Sequence, residues 1–189
     1  MSNSHPMSHG TPCRDSHPAC WPEDKLLDQC HLSFSRASGP GGQNRNKVET
    51  SVQIEYLPAG ITAAASERRT QNENRKIAIQ RLRCKLAVEI RPTTESPASM
   101  QSAISNSVSE VWKKYCRNGR VAIAESNVEW PSILAEVIGV LCSCDWSIRN
   151  AANTLGTTAS QLVKLLKKHP PAFAMLNQER RTRGHRPLD

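Results

Sequence analysis

The sequence has few aromatic residues, no long apolar segment and no pattern typical of a secreted chain. Aromatic residues make up 4% of the 189 positions, so a core has to be built mainly from Leu, Ile, Val and Ala. The longest apolar stretch, Ile133 to Cys144, contains Glu136 and is too short to cross a bilayer. The first ten residues lack the basic-then-apolar order of a secretory signal. We therefore expect a cytoplasmic protein.

The seven cysteines form no regular pattern. Their odd number and irregular spacing disfavour a disulfide framework in a chain without an export signal. Cys13, Cys20 and Cys30 lie near His17 and His31, but no two cysteines have the C-x₂₋₄-C spacing that places two zinc ligands on one tight turn. Cys142 and Cys144 are two residues apart on an expected helix, so their side chains should diverge. We therefore expect no structural metal.

Positive charge is concentrated in two segments. The formal net charge is +8, and residues 67–91 carry +5 while residues 161–186 carry +6, so the remainder is slightly negative. Two separate basic segments indicate two contact points for phosphate groups. Two solvated helix faces would produce the same pattern, and the charge alone does not distinguish these interpretations.

Hydrophobic periodicity predicts a flexible tail over residues 1–22 and a small α+β domain over residues 23–92. A short helix is expected to open at Glu23 and to continue through Cys30, with acids at its N-terminal end. Three alternating segments then predict strands: Leu32 to Phe34, Val52 to Tyr56, and Ile61 to Ala65. The second and third strands should form a hairpin.

A long amphipathic helix is expected to follow the strands. Asn72 or Asn74 can cap it, and Pro92 stops it near Ile90. Its apolar stripe is expected to contain Ile79, Leu82 and Leu86. Its basic side chains should face solvent or a partner: Arg75, Lys76, Arg83 and Lys85.

The rest of the chain predicts an all-helical domain over residues 100–189, after a linker at residues 93–99 that is rich in Ser, Thr and Pro. Helix starts are expected near Val108, Pro131, Ser147, Thr157 or Thr158, and Pro170. The succession from Ala151 to Leu162, with Gly156 in the turn, resembles a helix-turn-helix. Such a segment can read DNA, but a packing or RNA-facing role is favoured because any small helical bundle can produce the same pattern.

The run from Ser38 to Thr50 carries the most specific pattern in the sequence. Three glycines within four residues permit positive φ and a close approach to a ligand, and Arg45 and Lys47 follow them. On these grounds alone the loop is either a phosphate cradle or a flexible turn. It does not match the Walker pattern, and it is not a dinucleotide fingerprint because no helix is expected directly after it.

In residue order this run resembles the catalytic domain of class I peptide-chain release factors and their short ribosome-rescue relatives. Those families carry a Ser-Gly-x-Gly-Gly-Gln-x-x-Asn-Lys core. The likeness continues through the turn at residues 57–61 and the stretch at residues 67–71 to Asn74 and Arg75, so it covers about residues 30–90. Arg45 is a departure, because the family usually has a small apolar residue there.

The resemblance implies hydrolysis of the peptidyl-tRNA ester on the ribosome, by an α+β GGQ domain followed by a small helical domain. Gly41 and Gly42 would permit the backbone geometry. The backbone N–H of Gln43 would stabilise the transition state or the leaving 3′-hydroxyl, and its side chain would position the nucleophile. Thr50 and Gln71 would brace the loop. Candidate contacts to RNA phosphates are Arg36, Arg45, Lys47, Arg68, Arg69, Arg75, Arg180, Arg181, Arg183 and Arg186.

Full release factors are about twice as long and carry separate domains that read the stop codon. We therefore expect codon-independent rescue of stalled ribosomes, with the four C-terminal arginines entering the empty mRNA channel. Removal of residues 179–189 should then reduce rescue but leave the fold intact. The expected partners are the ribosome, its RNA and peptidyl-tRNA, with a monomeric protein, no membrane, no metal and no other cofactor. The rival hypotheses are a domain that binds ribosomes or RNA without hydrolysis and a DNA-binding regulator.

Overall fold

The computed structural model describes residues 17–36, 49–91 and 108–189. These residues form a three-stranded antiparallel sheet, a two-stranded ribbon and seven α-helices. The predicted α+β class is therefore confirmed, with a helical region following the sheet.

The sheet contains strands β1 (Cys30–Ser35), β2 (Ser51–Tyr56) and β3 (Ile61–Ala65) in that order. All three predicted strands are confirmed, and the alternation of their side chains gives one buried face. Its members are Val52, Ile54, Tyr56, Ile61, Ala63 and Ala65. Strand β1 lies at the edge, where Phe34 is 44% exposed. Gly60 closes the hairpin at a φ of +64°, a conformation that side chains rarely adopt.

The segment before the sheet differs from the prediction in two ways. Helix α1 spans Glu23–Leu27, and Cys30 begins β1 instead of extending the helix. The carbonyl of Gln29 accepts a hydrogen bond from the backbone N–H of Leu57, just after β2, so the chain is already paired with β2 at this point. Residues 17–22, which were assigned to the flexible tail, pack on the protein body. Ala19 is fully buried there, so the expected tail is too long by these residues.

Helix α2 spans Gln71–Glu89 and packs on the sheet. Its cap is Thr70, whose hydroxyl accepts a bond from the backbone N–H of Glu73 at 3.2 Å. The predicted cap at Asn72 or Asn74 is therefore wrong, and the Asn74 side chain has a different use described below. The predicted apolar stripe is confirmed as buried: Ile79, Leu82 and Leu86.

Arg83 does not face solvent or a partner as the sequence predicted. Its guanidinium donates to the carbonyls of Ala19 and Trp21 at 3.4 and 2.7 Å. Near the end of α2, Nε2 of His17 donates to the carbonyl of Ile90 at 3.0 Å. These contacts fasten the N-terminal segment to α2.

The helical region contains, in chain order, α3 (Glu110–Tyr115), β4 (Cys116–Arg117), β5 (Arg120–Val121), α4 (Trp130–Ser143), α5 (Ile148–Thr154), α6 (Ala159–Lys167) and α7 (Pro170–Thr182). The predicted starts at Ser147 and Thr158 are confirmed, since both residues cap the helices that follow them. Asn118 and Gly119 have positive φ and form the tight turn between β4 and β5.

Aliphatic residues make up most of the core, as expected, but three tryptophans lie at the centre of the helical region. Trp112, Trp130 and Trp146 are each 1% exposed. Helix α4 packs against α2, so the sheet and the helical region share one continuous core. The proposed linker at residues 93–99 lies outside the described residues, and the division into two domains stays a prediction.

No single helix in the described ranges is long and apolar enough to span a membrane. Helices α4 and α5 meet the length and composition criterion only as a pair, and that pair is bent by 119°. Most of α4 is buried inside the protein.

Candidate functional site

The predicted loop is attached at the end of the sheet where β1 finishes and β2 begins. Because Ser35 lies opposite Ser51, the chain leaves the sheet at Arg36 and returns at Glu49 on adjacent strands. The predicted catalytic residues and two of the basic ones lie between these points, outside the described residues: Gly41, Gly42, Gln43, Arg45 and Lys47. The structure describes the two chain ends that flank these residues, at Arg36 and Glu49, which we call the base of the loop.

Asn74 joins three chain segments at this base. Its side chain is fully buried. Nδ2 donates to the carbonyls of Thr50 and Arg68 at 2.7 and 3.0 Å, and Oδ1 accepts from the backbone N–H of Arg68 at 2.9 Å. Both amide hydrogens and the amide oxygen are therefore satisfied without water. As a result the start of β2, the turn at residues 66–70 and α2 are fixed relative to one another.

Gln71 provides a second brace. Its Nε2 donates to the carbonyl of Glu49, at the returning end of the loop, at 3.0 Å. The sequence predicted that Thr50 and Gln71 would brace the loop. The structure places both in such contacts, Gln71 through its side chain and Thr50 through its carbonyl.

The turn at residues 66–70 is held by Glu67. Its carboxylate accepts from the backbone N–H of Ser66 at 3.0 Å and forms an ion pair with Arg81 at 2.5 Å. Burial acts to raise the pKa of Glu67, but the backbone N–H groups and the Arg81 guanidinium together hold that pKa below its ordinary value. Arg68 and Arg69 therefore project from a restrained turn.

Four of the predicted RNA-binding residues lie around this base. Arg36 follows β1, while Arg68 and Arg69 follow β3, whose last residue lies opposite the start of β2. All three are exposed. Arg75, in the first turns of α2, forms an ion pair with Glu23 at 3.6 Å and is already partly neutralised.

The C-terminal arginines lie at the other end of α2. Arg91, just beyond the helix, forms an ion pair with Glu179 at 2.5 Å. Since α2 has 19 residues and each adds 1.5 Å, this contact is about 28 Å from the base of the loop along the helix axis. The two basic segments of the sequence are therefore not brought together around the loop.

Arg180 and Arg183 make contacts with other parts of the same chain. Arg180 donates to the carbonyl of Trp146 at 3.0 Å, and Arg183 pairs with Asp145 at 2.9 Å. The guanidinium groups of Arg91 and Arg183 also lie over the Trp146 ring, at 5.6 and 5.7 Å from its centroid. These contacts attach the end of α7 to the turn after α4.

The last residues fold back onto α7 and do not extend away from it. Leu188 donates its backbone N–H to Oδ1 of Asn177 at 2.8 Å, and Nδ2 of Asn177 donates to the Leu188 carbonyl at 2.9 Å. The basic C-terminal tail is therefore a folded terminus. Arg181 and Arg186 keep exposed side chains there.

Sequence reasoning missed the bridging role of Asn74 and the contact of Arg91 with Glu179. The first turn of α2 is polar throughout, so periodicity gives no sign that Asn74 is buried. The second contact joins residues far apart in the chain, and only their opposite charges hinted at it.

Residues 27–127, more than half of the chain, match the RF-1 domain family. The chain belongs to this family, and the resemblance found in its sequence is confirmed at that level.

Similar proteins include peptide chain release factor PrfB1, chloroplastic, of Arabidopsis thaliana, which is 38% identical over 99 residues covering 51% of this chain and 20% of that protein. Peptide chain release factor 1 of Chlorobaculum tepidum is 50% identical over 64 residues, covering 34% and 16%. Peptide chain release factor 2 of Lactiplantibacillus plantarum is 43% identical over 65 residues, covering 34% and 16%. The matched segments thus span a fifth or less of the length of these relatives.

Proposed function

We propose that this protein hydrolyses the ester bond of peptidyl-tRNA on the ribosome, with Gly41, Gly42 and Gln43 as its catalytic loop. The observation that carries the proposal is the position of this loop sequence between the paired strands β1 and β2. Asn74 and Gln71 hold the chain at the point where it enters β2. The family match includes the loop, and the similar proteins named above are peptide chain release factors.

The chemistry needs little more from the chain than a well-placed backbone. Water attacks the ester carbonyl, the bond from that carbon to the 3′-oxygen of the tRNA breaks, and the 3′-oxygen receives a proton. Negative charge develops on oxygen during this step. A preorganised N–H at Gln43 would stabilise that charge by about 3 kcal/mol. A fixed attachment also limits the orientations that the loop has to search.

Exposed arginines around the base of the loop support a nucleic-acid target. Arg36 follows the end of β1, where the chain leaves the sheet, and Arg68 and Arg69 follow the end of β3, which lies opposite the start of β2. Arginine binds phosphate through parallel hydrogen bonds. We infer that these three residues contact tRNA or ribosomal RNA while the loop approaches the ester.

Codon-independent rescue of stalled ribosomes is the finer part of the proposal. It rests on the resemblance to short rescue relatives and on the arrangement of residues 128–189, which lie outside the family match and fold as helices with exposed basic side chains. In this proposal Arg181 and Arg186 are the C-terminal arginines available to contact RNA without breaking a described ion pair or side-chain hydrogen bond.

The test is release of labelled peptide from ribosomes stalled on truncated mRNA, compared with ribosomes that hold a stop or a sense codon in the A site. Release confined to truncated mRNA is expected. Release confined to stop codons would contradict codon independence. Absence of release in all three, with ribosome binding retained, would favour a protein that binds without hydrolysing.

A further inference from the structure

The helix-turn-helix-like segment is locked to the β4–β5 hairpin. The hydroxyl of Thr157, in the turn between α5 and α6, donates to the carbonyl of Gly119 at 2.6 Å. Trp112 Nε1, on the helix that leads into the hairpin, donates to the carbonyl of Leu155 at 2.8 Å. The hairpin therefore lies beside the start of α6 as one structural unit with it.

The polar side chains best placed to read base edges are occupied within this unit. Thr158 caps α6 by accepting from the Gln161 backbone N–H at 3.3 Å, and Gln161 Oε1 accepts from the Val121 backbone N–H at 3.4 Å. Thr157 is bonded to the hairpin as described. A recognition helix reads DNA with free polar groups near its N-terminus. This segment is consequently poorly suited to sequence-specific readout.

The same unit carries positive charge without nearby acidic residues in sequence. Arg117 and Arg120 are exposed on the hairpin, and Lys164 and Lys167, three residues apart, are exposed on one face of α6. Residues 111–124 and 147–178 contain no Asp or Glu. By contrast, Lys114 on α3 is paired with Glu129 at 2.6 Å. We call the four basic residues on the hairpin and α6 the hairpin–α6 surface.

We propose that the hairpin–α6 surface binds the phosphate backbone of double-stranded RNA without reading its sequence. The choice of RNA over DNA rests on the proposed function, which places the protein on the ribosome. Duplex RNA has a major groove too narrow for a helix to read, and proteins recognise it by shape, phosphates and 2′-hydroxyls. Four lysines and arginines on a rigid hairpin and helix match that mode of contact.

The experiment measures binding of the full chain to a mixed-sequence RNA duplex by fluorescence anisotropy across a salt series. The double variant Lys164→Gln/Lys167→Gln should weaken binding on the order of tenfold and lower the slope of log affinity against log salt by about two. A control double variant, Lys25→Gln/Lys113→Gln, removes the same charge from exposed positions outside both basic segments and should change affinity less than about twofold.

Two results would overturn this inference. One is unchanged duplex binding and salt slope in the Lys164/Lys167 variant and also in an Arg117→Gln/Arg120→Gln variant. The other is tighter, sequence-dependent binding to a DNA duplex than to RNA. Peptide release is measured separately on the same proteins. A wild-type protein that binds RNA through this surface but releases no peptide would contradict the proposed hydrolysis and support the surface.

Discussion

The side-chain amide of Asn74 lies 2.7 Å from the carbonyl oxygen of Thr50 and joins the first turn of α2 to the start of β2. Because Asn74 is fully buried and also bonds the backbone of Arg68, the returning end of the loop is held by a side chain as well as by strand pairing. The buried side chain of Asn74 thus fixes the position at which the chain returns to the sheet.

Asn74→Ala should lower the free energy of unfolding by about 2–4 kcal/mol, because three partly buried backbone groups lose their partner and a fully buried side chain is removed. Urea unfolding of the variant measures this difference. Asn72→Ala is the matched control, since Asn72 is exposed in the same turn of α2 and should cost about 0.5 kcal/mol or less. Equal stability of the two variants would show that the bridge contributes little.

Gly42→Ala should lower the rate of peptide release about 100-fold, which corresponds to the loss of one well-placed donor. In the proposed mechanism the loop uses a backbone conformation that a Cβ at Gly42 would disfavour, and the N–H of Gln43 would then no longer point at the developing charge. Gln43→Ala should reduce the rate through the loss of nucleophile positioning. Asn44→Ala, at a position that the family core leaves open, is the control. Ribosome binding should be unchanged in all three, and a parallel loss of binding would argue against a catalytic role.

Truncation after Gln178 should destabilise the protein by about 1–3 kcal/mol, because it removes Glu179 from Arg91 and Arg180 from the Trp146 carbonyl. We therefore expect a destabilised protein after this truncation, and no longer the unaffected fold that the sequence suggested. Thermal unfolding of the truncated chain checks it.

A substitution variant tests the channel-sensing role without that complication. Arg181→Gln/Arg186→Gln alters two exposed side chains and should leave stability within about 0.5 kcal/mol of wild type. If these arginines sense the empty mRNA channel, rescue should fall in this variant while release at high protein concentration is retained. Full rescue at limiting concentration would remove the C-terminal arginines from the mechanism.

Stability should decrease as the pH falls below about 6.5, through His17. Burial lowers the pKa of His17 below its ordinary value of 6.5, although its bond to the Ile90 carbonyl acts in the opposite direction. The unfolded chain therefore binds the proton at a higher pH than the folded chain does, and proton uptake favours unfolding. Nδ1 also accepts from the Ala19 N–H at 3.1 Å, and protonation would remove that acceptor.

Urea unfolding at pH 7.5 and pH 5.5 measures this loss. This loss of stability should be smaller in His17→Gln than in the wild type. It should be smaller still when His169→Gln is added, because burial also lowers the pKa of His169 although the charge of Glu125 acts to raise it. A wild-type stability that is independent of pH over this interval would contradict the prediction.

The elements that alternate or repeat strongly were predictable from the sequence. The period of two around Ile54 and the stripe through Leu82 each report one buried face, and both are present. Contacts between distant residues were not predictable, because periodicity describes one element at a time. Asn74 with Thr50, and Arg91 with Glu179, depend on how the elements are placed in space.

The site was predictable in a different way. Its motif identified the loop and the family, since an ordered series of residues is far more specific than any one of them. The motif could not show that the base is braced by Gln71, nor that Arg180 and Arg183 are committed to intramolecular contacts.

Helix α2 packs on the sheet along one side and on α4 along another. Because of this shared helix, the sheet and the C-terminal helices are not expected to rotate independently of one another. A contact that fixes the helical region therefore also fixes the orientation of the strand ends at which the chain leaves and re-enters the sheet. Docking at one end would raise the effective concentration of the loop at its target, in the same manner as a stiff tether. Because α2 is shared, a contact made by the helical region and a contact made by the sheet would have to be satisfied in one common orientation of the protein.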